Sequence, residues 1–160
     1  MQESEPMNFS TRALLDRARR YCAMAEQCES GVRQKLIAWG CGSTEAEPIM
    51  AQLREEGYID DMRYARAYSE SKVYGQHWGR QKVVYQMRSK RLPKEAIDEA
   101  MAAIDEGRYD AMLEEVATRK AHELGGISDE RGRHKLMAFL ASRGFTLSEI
   151  NSITKKISKQ

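Results

Sequence analysis

Apolar residues recur along the chain at intervals of three and four positions, the spacing that places side chains on one face of an α-helix. The clearest stripes are Leu14, Ala18, Tyr21 and Ala25 near the start, Ile97, Ala100, Met101 and Ile104 in the middle, and Leu147, Ile150, Ile153 and Ile157 near the end. No convincing run alternates apolar and polar residues as a strand does. The pattern predicts an all-α protein of about nine helices, each burying one face.

Residues typical of helix ends divide the chain in the same way. Glycines predict helix stops at Gly40, Gly57, Gly107 and Gly144, and N-caps are predicted at Ser30, Asp60, Ser128 and Thr146. Thr146 and Glu149 have the spacing of a capping box. Thr44 and Glu47 repeat that spacing, but Pro48 also fits the first position of a helix, so the start of this helix has two predictions.

An internal repeat groups the helices. The segments 33–37, 80–84 and 133–137 share the order Arg, polar residue, Lys and two aliphatic residues, and they begin 47 and 53 residues apart. A second marker, Glu-Gly followed by Tyr and Asp, occurs at 56–60 and again at 106–110. Both markers predict a unit of three helices and about 50 residues, and units this small must dock on their neighbours. We expect a tandem array of three three-helix modules, elongated or curved, at 10–59, 60–107 and 108–160, after a frayed N-terminal tail at 1–9.

The small net charge of +2 hides alternating blocks. Residues 1–59 carry a net −2, 60–97 carry +5, 98–130 carry −7 and 131–160 carry +6. Such segregation is typical of a basic face that attracts a polyanion, and it is equally typical of solvated helix faces that alternate in charge.

The repeated Arg-x-Lys element predicts a basic surface. It falls at the start of the second helix of each module, where the aliphatic pair would turn to the core and the two basic side chains to solvent. The middle module adds further basic residues, with His77, Trp78 and Tyr85 interleaved, a composition that suits phosphate contact and base stacking. The candidate binding residues are Arg80, Lys82, Arg88, Lys90, Arg91, Lys94, Arg133 and Lys135, followed by Arg33 and Lys35.

Catalytic and metal-binding motifs are missing from the sequence. The three histidines fall in different predicted elements, no phosphate-binding glycine loop or nucleophile motif occurs, and the three cysteines lack metal-ligand spacing. We therefore expect no enzyme, no cofactor, no metal and reduced thiols. No apolar run approaches the roughly 20 residues of a membrane span, and the start lacks the apolar segment of a signal peptide, which predicts a cytoplasmic protein that does not bind membranes.

One segment points to a known family. Gly57-Tyr58-Ile59-Asp60-Asp61-Met62-Arg63-Tyr64-Ala65 closely resembles a signature of the RecX family of recombinase regulators. The upstream segments 18–23 and 29–36 resemble that family's first two helices, and the downstream segments 79–83 and 88–93 resemble its second module. The resemblance extends from about residue 11 to 157 and is weaker in the third module.

The resemblance implies a small bacterial protein of tandem three-helix modules that binds the RecA recombinase and its nucleoprotein filament. Family members inhibit filament extension, ATPase activity and strand exchange, and some bind DNA directly. On this basis we expect a monomer that contacts RecA, and single- or double-stranded DNA directly or within the filament, through the basic residues named above. The signature is assigned mainly to module docking: Asp60 or Asp61 caps a helix, and Tyr58, Ile59, Tyr64 and Ala65 pack. For Arg63 a salt bridge is favoured over the alternative, a role in partner binding. A sequence-specific DNA-binding module and a structural helical adaptor remain open alternatives.

Overall fold

The computed structural model describes residues 8–160, and this part of the chain forms nine α-helices and no strand. The helices are α1 (Phe9–Met24), α2 (Glu29–Ala38), α3 (Ser43–Glu55), α4 (Asp61–Glu70), α5 (Arg80–Ser89), α6 (Lys94–Ala102), α7 (Glu106–Glu123), α8 (Glu130–Ser142) and α9 (Leu147–Ser158). A π-helical segment, Ser71–Gly75, continues α4 without a break. The predicted all-α fold and the number of helices are confirmed.

Two predicted N-caps have the expected geometry. The Asp60 carboxylate accepts hydrogen bonds from the backbone N–H groups of Met62 and Arg63 at 3.0 and 3.2 Å, and so begins α4. Thr146 and Glu149 form a reciprocal capping box at the start of α9. Both caps satisfy N–H groups that have no partner within the helix, because the first turn of a helix lacks preceding carbonyls.

Other predicted helix ends are wrong. The N-cap of α2 is Cys28 rather than Ser30, and the N-cap of α8 is Asp129 rather than Ser128, since the Asp129 carboxylate accepts from the Gly132 N–H at 2.8 Å. The predicted tail at 1–9 is too long, because Asn8 caps α1 and Phe9 is its first residue; residues 1–7 lie outside the described part.

The start of α3 matches neither sequence prediction. This helix begins at Ser43 after the N-cap Gly42, and Pro48 lies inside it. Glu47 does not cap, since its carboxylate pairs with Arg33. Gly107 does not stop a helix either: it is the second residue of α7, which begins two residues before the predicted module boundary at 107/108.

The buried residues form two separate cores. The first core joins α1, α2 and α3 around residues such as Leu36, Ile49 and Leu53, and it includes Ile59 in the connection to α4. The second core runs continuously from α4 to α9 around residues such as Met87, Tyr109 and Leu140, and it also includes Cys28, the N-cap residue of α2. The second and third modules therefore share one core, whereas the first module has its own.

The second helices of the modules meet end to end. The N-terminal end of α5 lies on the C-terminal end of α8, where the Gly79 N–H donates to the Arg143 carbonyl at 2.8 Å and the Gln81 N–H to the Gly144 carbonyl at 3.1 Å. The remaining Arg80 N–H donates to the buried Tyr109 hydroxyl at 3.2 Å. Two carbonyls of the main chain and the Tyr109 hydroxyl thus satisfy the start of α5, while its own N-cap, Gly79, has no side chain to do so.

The α5–α8 contact requires glycine on both sides. A Cβ atom at Gly79 would overlap the carbonyl group of Gly144. A Cβ atom at Gly144 would lie 2.6 Å from the backbone nitrogen of Lys82. Gly144 also has a φ of +95°, which favours glycine. The same helix-end arrangement joins α2 to α5, since the Ser30 hydroxyl donates to the Lys90 carbonyl.

No helix in the range 8–160 is long and apolar enough to cross a membrane.

Candidate functional site

The segment Tyr58–Ala65 lies at the junction between the first core and α4. While Asp60 caps α4, the Asp61 carboxylate accepts from the Glu29 N–H at 2.9 Å and so satisfies the start of α2. Partial burial raises the pKa of Asp61, and the hydrogen bond from Glu29 opposes this rise. The two adjacent carboxylates therefore begin two different helices, one on each side of the junction.

The remaining residues of this segment also contact neighbouring structure. Arg63 pairs with Glu26 at 2.7 Å and donates to the carbonyls of Gly57 and Tyr58. Ile59 and Ala65 are buried in the first and second cores respectively, Tyr58 packs against the first core, and Tyr64 stacks on Tyr68 with ring centres 5.8 Å apart. These contacts join the first module to the second, while Asp60, Met62 and Arg63 stay exposed.

Three of the predicted binding residues are engaged in ion pairs. Arg80 pairs with Glu106 at 2.7 Å and lies over the Tyr109 ring, Lys94 pairs with Asp98 at 2.6 Å, and Arg33 pairs with Glu47. Burial, opposed by the hydrogen bond from the Arg80 N–H, raises the pKa of the Tyr109 phenol, which therefore stays neutral. Arg80 is thus held in the joint between α5 and α7.

The other predicted residues make no ion pair within the described chain. They are Lys35, Lys82, Arg88, Lys90, Arg91, Arg133 and Lys135. Arg88, Arg91, Arg133 and Lys135 are exposed, whereas Lys82 and Lys90 are half-buried. The expectation that both aliphatic residues of the repeat turn inward is wrong for the first module, because Leu36 is buried but Ile37 is 50% exposed.

Lys82 and Lys90 belong to a cluster of three lysines around two aromatic rings on the second module. The Lys72 ammonium lies 5.6 Å from the centre of the Tyr68 ring and 5.0 Å from that of Trp78. Lys82 approaches Trp78 to 4.5 Å, and Lys90 approaches Tyr68 to 5.5 Å. We call Tyr68, Lys72, Trp78, Lys82 and Lys90 the lysine–aromatic cluster.

Four successive parts of the chain assemble this cluster. Tyr68 comes from α4 and Lys72 from the π-helical segment that follows it, Trp78 from the connection to α5, Lys82 from the first turn of α5, and Lys90 from its C-terminal end. Sequence analysis missed Lys72 and Tyr68. Their signal was present in the spacing of Tyr64, Tyr68 and Lys72, which at intervals of four share one helix face.

The cluster is an electropositive surface whose charges are not neutralised. None of its three lysines takes part in an ion pair of the described chain, and each is held instead against a ring face, a contact of about 0.5–1 kcal/mol at exposed sites. Burial raises the pKa of the Tyr68 phenol, and the nearby Lys90 charge opposes the rise. Three cations in one place that form no ion pair in the described chain favour an anionic ligand with several charges.

Smaller contacts of the same kind occur on the other modules. In the first module, Arg17 lies 4.1 Å from the centre of the Trp39 ring, and Lys35 lies 5.6 Å from that of Tyr21. In the third module, Lys120 and Arg143 lie over Phe139. The cluster of the second module is the largest of the three.

The fold and the cluster define a class: a tandem three-helix repeat protein with a cationic, aromatic surface. Comparisons with known proteins agree with this class. Residues 60–101 match the profile of the RecX second three-helix domain, and residues 108–154 match that of the RecX third three-helix domain.

Whole proteins that are similar to this chain are also RecX proteins. The chain is 29% identical to the regulatory protein RecX of Shigella dysenteriae serotype 1, with 96% of each chain covered, and 30% identical to that of Prosthecochloris aestuarii, with 84% of this chain and 87% of the relative covered. A crystal structure of RecX from Lactobacillus salivarius has the same fold, with a TM-score of 0.84 over 94% of this chain and 16% identity. The chain belongs to the RecX family.

Proposed function

We propose that this protein binds the RecA recombinase and its nucleoprotein filament and inhibits filament extension, ATPase activity and strand exchange. It would thereby regulate DNA repair, homologous recombination and the SOS response without a catalytic step of its own. Family membership supports this proposal, and the structural observation that carries it is the lysine–aromatic cluster. A surface with three unneutralised cations suits a filament that presents phosphates along its length.

We rank the basic residues proposed for the filament contact by whether they form ion pairs within the protein. Lys82, Lys90 and Arg91 come first, because they have no ion-pair partner in the described chain and because they belong to the lysine–aromatic cluster or, for Arg91, follow it directly. Arg88, Arg133, Lys135 and Lys35 have no ion-pair partner there either and come second, because they lie outside the cluster. Arg80, Lys94 and Arg33 hold ion pairs within the protein, so we propose structural roles for them.

The remaining features of the proposal follow from the family and the fold. We propose a cytoplasmic monomer with no cofactor, and three modules bounded near 59/60 and 107/108. The acidic block at 98–130 is proposed to face a basic surface of RecA or solvent, since it would repel DNA.

The test is the single-stranded-DNA-dependent ATPase activity of the cognate RecA, measured with increasing amounts of this protein at two salt concentrations. We expect inhibition at less than one protein per RecA subunit, because a molecule that blocks growth at one point affects many subunits. We also expect weaker inhibition at the higher salt concentration, since salt screens contacts between lysine and phosphate.

A variant with Lys82→Glu, Lys90→Glu and Arg91→Glu should inhibit far less while retaining its helical circular dichroism. Full inhibition by this folded variant would contradict the proposed contact residues. Absence of inhibition by the folded natural protein, with active RecA, would favour the helical adaptor. Binding that prefers one DNA sequence would favour the sequence-specific DNA-binding module.

A further inference from the structure

Three irregularities of the backbone surround the lysine–aromatic cluster. The segment Ser71–Gly75 is π-helical and carries Lys72. His77, which precedes Trp78, has a φ of +59°, and Arg91, which follows Lys90, has a φ of +58°. Within residues 8–160 these are the only non-glycine residues with positive φ and the only π-helical segment. Both kinds of irregularity are frequent at functional sites.

Arg91 occupies a position at which the other modules have glycine. The second helices α2 and α8 are each followed, after one C-cap residue, by a glycine. These are Gly40 and Gly144, with φ values of +94° and +95°. Arg91 follows α5 in the same way, because its N–H donates to the Arg88 carbonyl and the next N–H, of Leu92, to the Met87 carbonyl. A left-handed conformation that glycine adopts without strain is here imposed on an exposed arginine.

The chemistry of the cluster distinguishes among anionic ligands. A base that stacks on an aromatic ring gains about 1–3 kcal/mol, at least comparable to a half-buried lysine–ring contact, so a base can take the place of a lysine on Trp78, whose ring stacks on no other ring in the described chain. The displaced ammonium group is then free to contact the phosphate of the same nucleotide. A duplex hides its bases and an acidic protein segment has none, so a single strand is the ligand that engages both parts of the cluster.

We propose that the lysine–aromatic cluster together with Arg91 binds the backbone and bases of single-stranded DNA, and that the left-handed conformation of Arg91 directs its guanidinium group to a phosphate. The site deepens the proposed function, on which its biological role rests, because it assigns the DNA contact within the filament to the second module. The binding itself requires no RecA.

The experiment is fluorescence anisotropy of a labelled oligothymidylate of about 15 nucleotides, titrated with the protein alone at several salt concentrations. The test variant is Lys72→Gln, Lys82→Gln, Lys90→Gln. The matched control is Arg66→Gln, Arg119→Gln, Lys156→Gln, which removes the same charge from three exposed ion pairs outside the cluster. Circular dichroism verifies that both variants are folded.

We expect the natural protein and the control to bind with similar affinity, and the cluster variant to bind at least about tenfold more weakly. The dependence of log K on log salt concentration should become shallower by about 0.7 for each lysine that contacts a phosphate. Quenching of Trp78 fluorescence by the oligonucleotide, measured with Trp39→Phe, should report base stacking.

Equal affinity of the cluster variant and the control would overturn the proposal. So would equal competition by polyglutamate and oligothymidylate, which would indicate an acidic protein partner. Inhibition of RecA by a protein that does not bind the oligonucleotide would overturn this site and leave the proposed function standing. Oligonucleotide binding without RecA inhibition would support the site and contradict the proposed function.

Discussion

Arg91 shows how much conformational strain a single exposed residue can hold. A non-glycine residue in the left-handed region costs roughly 1–2 kcal/mol, and glycine avoids this cost at the expense of greater entropy in the unfolded chain. We therefore expect Arg91→Gly to raise the free energy of unfolding by about 0.5–1 kcal/mol. Urea denaturation followed by circular dichroism measures this change.

The reciprocal control for Arg91 is Gly40. It has a φ of +94°, and a Cβ atom there would meet no atom within 4 Å, so Gly40→Ala adds strain without a steric clash. We expect this variant to lose about 1 kcal/mol. An Arg91→Gly protein no more stable than the natural one would show that the arginine is not strained.

The sequence predicted part of the candidate site at the level of residues. Lys82 was identified from the repeated Arg-x-Lys element, Lys90 from the concentration of basic residues in the middle module, and Asp60 because an acid after a helix stop is typical of an N-cap. The free and paired arginines could not be separated, since the partner of Arg80 is Glu106 on another helix. The contact of Lys72 with Trp78 was missed because a π-helical turn lies between the two residues, and no sequence pattern predicted that turn.

At the scale of elements, the contact between α5 and α8 depends on main-chain atoms. Gly79 and Gly42 are both N-caps with φ near −70° and no capping side chain, but only Gly79 lies against another helix end. We expect Gly79→Ala to lower the free energy of unfolding by about 3 kcal/mol, because the added methyl group overlaps the Gly144 carbonyl. Thermal or urea unfolding measures the loss.

Gly42→Ala is the matched control for this contact. A Cβ at Gly42 would meet nothing closer than 3.8 Å, so the expected loss is less than about 1 kcal/mol, the ordinary difference between glycine and alanine at an N-cap. Similar losses in the two variants would mean that the helix ends separate without cost.

The joints between modules were beyond sequence analysis for a physical reason. Helix periodicity records which face of a helix is buried, and it correctly predicted a tandem array of about nine helices, the number found in residues 8–160. Hydrogen bonds between backbone groups of Gly79 and Arg143 involve no side-chain chemistry, so they leave no pattern except two glycines. Gly144 was predicted as a helix stop, which is correct, but its second role in packing was not visible.

At the scale of the whole molecule, two separate cores predict two unfolding transitions. Trp39 packs against the first core and Trp78 against the second, so each tryptophan reports one core. In the single-tryptophan variants Trp78→Phe and Trp39→Phe, we expect urea transitions with different midpoints. The two cores are connected by polar contacts such as Glu29 with Asp61 and by Cys28, and these contacts are weaker than a continuous apolar interior.

Core substitutions verify which transition belongs to which core. Leu36→Ala should lower the stability reported by Trp39 by about 3 kcal/mol, and Leu136→Ala should do the same for the transition reported by Trp78. Coincident midpoints that shift together in both variants would show a single cooperative unit.

The caps of the second helices give the array a polarity, because a module's second helix can be capped by the module that follows it. The starts of α2 and α5 are satisfied by groups of the following module, through Asp61 for α2 and through the carbonyls of Arg143 and Gly144 for α5. The start of α8 is already closed by its own Asp129. By the same pattern, an engineered extra module could cap the start of its second helix on the C-terminal end of α2, whereas the start of α8 already has its own cap in the described chain.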